Sequence, residues 1–392
     1  METRTNKLHF DHNKIFPVSR ESSARVTVQQ PFDIYLFFTV LLLVLVGIMM
    51  IFSSSAVLAK EMYGDTYYFL KKEIMFFVMG LVCLFITKKI SYRIYARFAF
   101  VTFIAALLLM LLCFIPGLSH TAGGASRWVR IGGLTMQPSE FAKMAAIILI
   151  AYLIAKKGEK IKDFKKGYCP VVFVAGIFMG LILLQKDLGS AFVLGAVVFI
   201  MLFVSGTRLR FIFGSILLAV PVLFFLIFSV SFRMRRILAF LDPWKYKLDS
   251  GFQIIQSYVA FKSGGLTGVG LGESKQKLFY LPEAHTDFIF SVFGEEFGMM
   301  GVTIVALLFL FFVYRGIKIA MKTKEIFGMF LALGITSLIG LQAFINFGVV
   351  MGILPTKGLA LPFISYGGSS LVISLTAVGI LLNISKHTGE EI

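Results

Sequence analysis

The feature that most constrains this chain is a succession of apolar stretches, near 34–58, 74–90, 94–116, 138–155, 169–185, 188–205, 209–231, 287–314, 327–354 and 370–385. A helix crosses a hydrocarbon core about 30 Å thick with roughly 20 apolar residues. Inside lipid, helices and closed barrels alone satisfy their own backbone polar groups. Stretches of this length select the helix, so the chain reads as an all-α polytopic membrane protein with ten transmembrane helices. Hydrophobic residues make up 58% of the 392 positions, more than a soluble domain uses. The fifth and sixth stretches are separated by so little that one long kinked helix is the alternative there.

Lysine and arginine set the orientation, because cytoplasmic loops carry them in excess. They gather in alternate connections. Arg4, Lys7, Lys14, Arg20 and Arg25 precede the first stretch, and Lys88, Lys89, Arg93 and Arg97 follow the second. Lys156, Lys157, Lys160, Lys162, Lys165 and Lys166 follow the fourth, Arg208 and Arg210 the sixth, and Arg315, Lys318, Lys322 and Lys324 the eighth. Both termini are therefore expected inside, with Lys71 and Lys72 as minor exceptions. The net charge of +17 belongs to these loops and not to a nucleic-acid partner. The expected organisation is a basic cytoplasmic tail (1–32), one ten-span membrane domain (33–386) and a short cytoplasmic tail (387–392). A large extracytoplasmic loop (232–286) joins spans seven and eight. The first stretch is too long for a cleaved signal peptide and reads as a signal anchor. Cys83, Cys113 and Cys169 show neither disulfide nor metal spacing. No internal repeat of the kind many transporters carry is visible.

The candidate chemistry lies on the outer side. A helix from about Thr286 to Arg315 would rise roughly 42 Å, which puts Asp287 at headgroup depth and Glu295 about 12 Å deeper. On that wheel Asp287, Ser291, Gly294, Glu295, Gly298 and Gly301 share one face, and Phe290, Phe293 and Phe297 share another. A carboxylate there is either a helix cap or part of a wet groove. Glu295 is expected to pair with a basic residue of the groove. Glu140 and Lys143, three apart after Pro138, make either a local ion pair or groove contacts. Asp187, beside Lys186 in a tight turn, either caps the sixth span or faces the groove.

In the large loop, Arg233, Arg235 and Arg236 suit lipid phosphates, and Gln253, Gln256, Ser257 and Ala260 line a narrow polar helix face. The string GGLTGVGLG lacks the strand that a dinucleotide site requires. It reads as a turn, or as a place where backbone approaches a bulky headgroup. Pro355 and Pro362 break the last outer connection, which ends at Ser369 and is either a plain hairpin or the lining of a cavity.

The blocks GGASRWVRIGGLTMQPSEFAK, QKDLGSA, LDPWKYKLDSGFQIIQSYVAFKSGGLTGVGLGESKQKLFYLPEAHTDFIFSVFGEEFG and NFGVVMGILPTKGLALPFISYGGSS resemble the SEDS family (shape, elongation, division and sporulation). The resemblance covers nearly everything after the N-terminal tail. The PEAHTDFIF wording is closer to the division and sporulation members than to the rod-shape member. It implies a peptidoglycan glycosyltransferase of the bacterial cytoplasmic membrane, at the division septum for a division member. Such an enzyme polymerises lipid II, an undecaprenyl-diphosphate-linked disaccharide-pentapeptide, beside a class B penicillin-binding protein transpeptidase and other divisome membrane proteins. A lipid II flippase is the alternative. The resemblance places the family's essential acid on Asp287 and cavity positions on Arg127, Glu140, Lys143 and Asp187. Lys186, Gln256, Glu283, His285 and Ser369 complete the candidate substrate-binding set. The partner's single span is expected on a phenylalanine-rich, lipid-facing surface of spans eight and nine.

The chemistry agrees with one acid. Polymerisation needs an acceptor hydroxyl made nucleophilic, which a carboxylate achieves as general base. The diphosphate leaves as an anion and needs no proton, so a second carboxylate is dispensable, unlike in most glycoside hydrolysis. Cationic groups must neutralise that anion; Arg127, Lys143, Lys186 and the Arg233–Arg236 cluster are candidates. A divalent cation (Mg²⁺ or Mn²⁺) on Asp287 is a further option, and His285 is the rival base.

Overall fold

The computed structural model describes residues 31–115, 119–122, 125–131 and 134–388. Most of the basic N-terminal tail, the glycine pairs 123–124 and 132–133 and the end of the C-terminal tail lie outside them. Each apolar stretch holds a helix. In order these are α1 (Ile34–Tyr63), α2 (Tyr68–Lys89), the short α3 (Arg93–Arg97) with α4 (Ala99–Leu112), α5 (Pro138–Lys157), α6 (Cys169–Leu184), α7 (Leu188–Val204) and α8 (Leu209–Phe228). The loop helices α9 (Ser231–Leu241) and α10 (Phe252–Gly264) follow, then α11 (Ile289–Lys322), α12 (Ile326–Val350) and α13 (Gly368–Ser385). The protein is an all-α polytopic membrane protein. Seven of the described helices are long and apolar enough to cross a membrane: α1, α5, α6, α8, α11, α12 and α13. The fifth and sixth stretches form two helices, α6 and α7, and not one kinked helix.

Local signals explain the boundaries. Asp33 caps α1 by accepting the Leu36 N–H at 3.0 Å, and Gly64 ends it in the left-handed region at φ 71°. Pro138 occupies the first turn of α5, where its missing N–H costs nothing. Asp33 also fastens distant elements. Its carboxylate accepts Arg315 Nε and Nη2 at 2.9 and 2.6 Å, and its backbone N–H donates to Ser385 Oγ at 3.0 Å. The first spanning helix is thereby joined to α11 and to the end of α13. Helices α2 and α13 pack through small residues. A Cβ at Gly379 would stand 2.4 Å from the Leu84 carbonyl, and Thr87 Oγ1 donates across the contact to Thr376 O at 3.1 Å.

Three findings depart from the sequence-based expectation. First, a small antiparallel sheet, β1 (Ser119–Ala122), β2 (Ala125–Ile131) and β3 (Leu134–Met136), fills the connection before α5. Second, α11 starts at Ile289 and not near Thr286, because Glu283 to Phe288 are spent in turns whose N–H groups at Thr286 and Phe288 both donate to Glu283 O. Gly298 then breaks the helix, so no single wheel spans Asp287 to Gly301. Third, most phenylalanines of α11 turn inward, and among the described phenylalanines of α11 and α12 only Phe311 and Phe344 are exposed. Phe290, Phe293, Phe309 and Phe312 are buried and pack with Phe347 of α12 and Phe363. The outward side of α11 carries Met300, Ile304, Leu307, Leu310 and Tyr314.

Candidate functional site

Asp287 closes the run of turns that leads into α11. Three contacts fix that run. Thr286 Oγ1 donates to Glu283 Oε2 at 2.7 Å. Asn346 Nδ2, at the end of α12, donates to Asp287 O at 2.9 Å and to Leu359 O at 2.8 Å. The Tyr366 N–H donates to His285 O at 3.1 Å. One amide thus ties the Asp287 turn to the 355–361 connection. Gly358 of that connection lies against the carboxyl group, where an added Cβ would stand 3.0 Å from Asp287 Oδ2. Three non-glycine residues on the approaches, Lys186 (φ 61°), Phe279 (φ 66°) and Glu283 (φ 58°), hold positive φ. Such conformations cost on the order of 1–3 kcal/mol each and gather at functional sites.

The charges around Asp287 come from four separate segments. Burial pushes its carboxyl up to about 7; Glu283 and Asp187 push the same way, and Arg236 and Arg127 oppose them. Arg236, on α9, donates to Thr356 O at 3.4 Å. Burial pulls its guanidinium down from the usual value while Asp287 supports the charge. Arg127, on β2, donates to the carbonyls of Gln185 and Lys186 at 3.3 and 2.6 Å, which anchors the sheet on the turn between α6 and α7. Lys357 lies 4.4 Å over the Phe192 ring; burial lowers its pKa and Asp187 raises it. A carboxyl near neutrality, under the influence of two guanidinium groups and two carboxylates, is equipped to accept a proton beside an anion.

The other sequence-predicted residues separate by their contacts. Asp187 caps α7, accepting Ser190 N–H at 3.0 Å and Ser190 Oγ at 2.8 Å, and its charge still reaches Asp287. Glu140 and Lys143 form a 2.8 Å ion pair with Lys143 fully buried. Ser369 Oγ accepts the Gln137 N–H at 3.2 Å, joining the start of α13 to that of α5. Gln256 is half-buried, whereas its neighbour Ser257 is buried and bonds Ser291 Oγ at 2.8 Å and Val350 O at 2.5 Å. Glu283 is exposed. The His285 ring lies against Phe69 and Tyr366, at 4.9 and 5.8 Å between centroids, and burial lowers its pKa. Of the basic cluster, Arg236 alone acts on Asp287. Arg235 pairs with Asp249 at 3.4 Å and Arg233 donates to Leu226 O at 2.9 Å.

Glu295 does not meet a basic residue. It accepts Ser274 Oγ and the Gln276 N–H, and the adjacent Glu296 pairs with Lys277 instead. Sequence reasoning missed Asn346 and Lys357. The irregular backbone between Pro355 and Pro362 was the available signal. Among the described residues no group of three or more His, Cys, Asp or Glu side chains is placed to hold a metal ion. The side chains do not form a protein-only metal cage. A cation arriving with a diphosphate would find Asp287 as a carboxylate ligand, the way Mg²⁺ is held at many phosphate sites.

Comparison with known proteins gives a consistent picture. Residues 33–390 match the cell cycle protein family that groups FtsW, RodA and SpoVE. A probable peptidoglycan glycosyltransferase FtsW of Geobacter metallireducens is 49% identical over 356 residues, covering 91% of this chain and 95% of that one. Stage V sporulation protein E of Bacillus subtilis is 39% identical over 357 residues, covering 91% and 97%. Among solved structures, a chain of a peptidoglycan synthase complex that coordinates polymerization and crosslinking superposes with a TM-score of 0.76 at 29% identity, covering 91% of this chain and 98% of that one. The rod shape determining protein RodA of Thermus thermophilus superposes with a TM-score of 0.67 at 26% identity, covering 92% and 98%.

Proposed function

This chain belongs to the FtsW, RodA and SpoVE family, and from that membership we propose that it polymerises lipid II at the outer face of the bacterial cytoplasmic membrane with Asp287 as general base. It is a peptidoglycan glycosyltransferase, like its named relatives. The observation that carries the mechanism is the single carboxyl at the head of α11, raised to about 7 and flanked by the charges of Arg236 and Arg127. The acceptor sugar hydroxyl gives its proton to Asp287 as its oxygen attacks the anomeric carbon of the neighbouring lipid II. The bond from that carbon to the diphosphate breaks, and the diphosphate leaves as an anion. Arg236, Arg127 and Lys357 supply the positive charge that the leaving group requires. A bound Mg²⁺ or Mn²⁺ would add to that charge. The direct test is purified protein with lipid II, alone and with a class B penicillin-binding protein, read as glycan chains on a gel. Absence of chains in both conditions, from well-folded protein, overturns the proposal.

The pH dependence follows from the same carboxyl. A base with a pKa of about 7 is active when deprotonated. The kcat/KM for polymerisation should therefore fall about tenfold per pH unit below 7 and level off above about 8. A flat profile from about pH 5.5 to 8.5 would exclude a titrating base of this kind.

The finer architecture is part of the proposal: ten spans, both termini cytoplasmic and the 232–286 loop outside, in a single membrane domain between two cytoplasmic tails. Single cysteines at Lys160 and Lys247 in a cysteine-free background separate the alternatives. A membrane-impermeant thiol reagent should label position 247 in intact spheroplasts and leave position 160 untouched; the reverse pattern overturns the assignment. The named FtsW relatives favour the division septum as the site of action, with a penicillin-binding protein and other division membrane proteins as neighbours.

A further inference from the structure

The helix that leads away from Asp287 is broken a few residues in. Gly298 sits at φ 65°, ψ −170°, a conformation essentially reserved for glycine. It separates a short outer segment of α11, from Ile289, from a long inner one. A break frees backbone groups that lipid cannot satisfy. Here the glycine-rich segment takes four of them. The N–H groups of Val269 and Gly270 donate to the carbonyls of Glu295 and Glu296 at 3.0 and 3.1 Å. The N–H groups of Met299 and Met300 donate to the carbonyls of Gly265 and Leu266 at 2.9 and 3.1 Å. The backbones touch: a Cβ at Gly268 would stand 2.1 Å from Glu296 O. The glycine string therefore makes room for another backbone and not for a headgroup.

A second fastening lies at the same place. Glu296 is buried, and its Oε1 accepts Ser53 Oγ at 2.6 Å and Lys277 Nζ at 3.0 Å. Lys277 Nζ also donates to Ser53 Oγ at 3.1 Å and to Gly272 O at 2.5 Å. The adjoining Glu295 accepts the Ser274 hydroxyl and the Gln276 N–H. The Lys277 side chain is 9% exposed and that of Glu296 is 0% exposed, so the pair is shielded from water. Lys277 precedes Asp287 in the chain and Glu296 follows it. Their ion pair closes the intervening chain into a loop with Asp287 on its far side, and Ser53 roots that loop on α1.

We infer that Lys277 and Glu296 are positioning residues for Asp287: the clamp they form with Ser53, beside the backbone ladder at Gly298, holds the outer segment of α11 so that the carboxylate stays in register with Arg236 and Gly358. The inference rests on the role proposed for Asp287. It is tested by Lys277→Met, Lys277→Arg and Ser53→Ala in the full-length protein, each purified as a monodisperse, folded species and assayed with lipid II. Lys277→Met should lower kcat about 10- to 100-fold, the scale on which small displacements act. It should also move the pH inflection of kcat/KM, because Asp287 would shift among Glu283, Asp187, Arg127, Arg236 and His285. A loss of folded enzyme alone would leave that inflection where it is. Lys277→Arg should restore the wild-type inflection and most of the rate, and Ser53→Ala should move both in the direction of Lys277→Met by a smaller amount. A wild-type rate and inflection in Lys277→Met, or in Ser53→Ala where Lys277→Met does not fold, overturns the inference. Those results beside an inactive Asp287→Asn defeat the clamp alone, whereas an active Asp287→Asn defeats the role of Asp287 itself.

Discussion

Asp287→Asn should reduce lipid II polymerisation to near background. Asparagine keeps the size of the side chain and much of its hydrogen bonding, but it cannot take up a proton at neutral pH. General base catalysis is worth about 10² to 10⁴ in rate, so the loss should fall in that range or beyond it. Folding should persist, because burial already disfavours the charged form of Asp287 and the turn is held by its backbone carbonyl, which Asn346 grips. Lipid II affinity is the informative second measurement. Proton transfer predicts affinity close to wild type. A loss of binding as large as the loss of turnover would make Asp287 an anchor for substrate or for a diphosphate-bound cation. Near wild-type turnover in Asp287→Asn, with inactive His285→Ala, would move the base to the imidazole.

The largest expected effect on stability lies at the start of α5. Lys143→Met should destabilise the folded protein by about 3–5 kcal/mol, because it leaves the Glu140 carboxylate buried without its partner. Glu140 keeps 9% exposure and Lys143 none, and their 2.8 Å contact is the only ion pair either makes among the described residues. The double variant Glu140→Gln, Lys143→Met removes both charges and should recover most of the loss, since a buried pair is often no better than apolar packing. Thermal melting in detergent, followed for both variants and the wild type, decides the matter. Equal melting of Lys143→Met and wild type would show that water reaches Glu140.

Much of the fold was legible because lipid leaves a chain few options. A long apolar stretch becomes a helix whatever its neighbours are, and capping residues such as Asp33 and Pro138 mark its ends. Asp287 stood out in the sequence as well, since a carboxylate beside an apolar run demands an explanation, and its role as base belongs to the proposal. What the sequence concealed was the company Asp287 keeps. Asn346 lies 59 residues away and reads as one polar residue in an apolar helix. Lys357 sits in a connection whose path is set by two prolines and by that same asparagine. The break at Gly298 was hidden for a related reason. An isolated glycine in a helical pattern is ordinarily tolerated, so the helical wheel ran through it. The segment whose backbone groups pair across the break is the one whose glycines suggested a turn or a headgroup contact. The small sheet before α5 escaped because its strands are short and flanked by glycines.

The contact between Asp33 and Ser385 has a consequence for the order of assembly. Ribosomes deliver a chain from its N-terminus, and domains generally fold in that direction. Helix α1 emerges first, yet the group that accepts its leading amide belongs to the last spanning helix, and Arg315 arrives only with α11. Helix α2 likewise waits for α13, the helix it packs against through Gly379. The two helices made earliest can pack on each other, but they must remain in lipid, or in the insertion machinery, with α11 and α13 still unsynthesised. The seat of α2 and the Ser385 acceptor for Asp33 are completed only when α13 arrives, so the packing of the earliest helices is finished by one of the last.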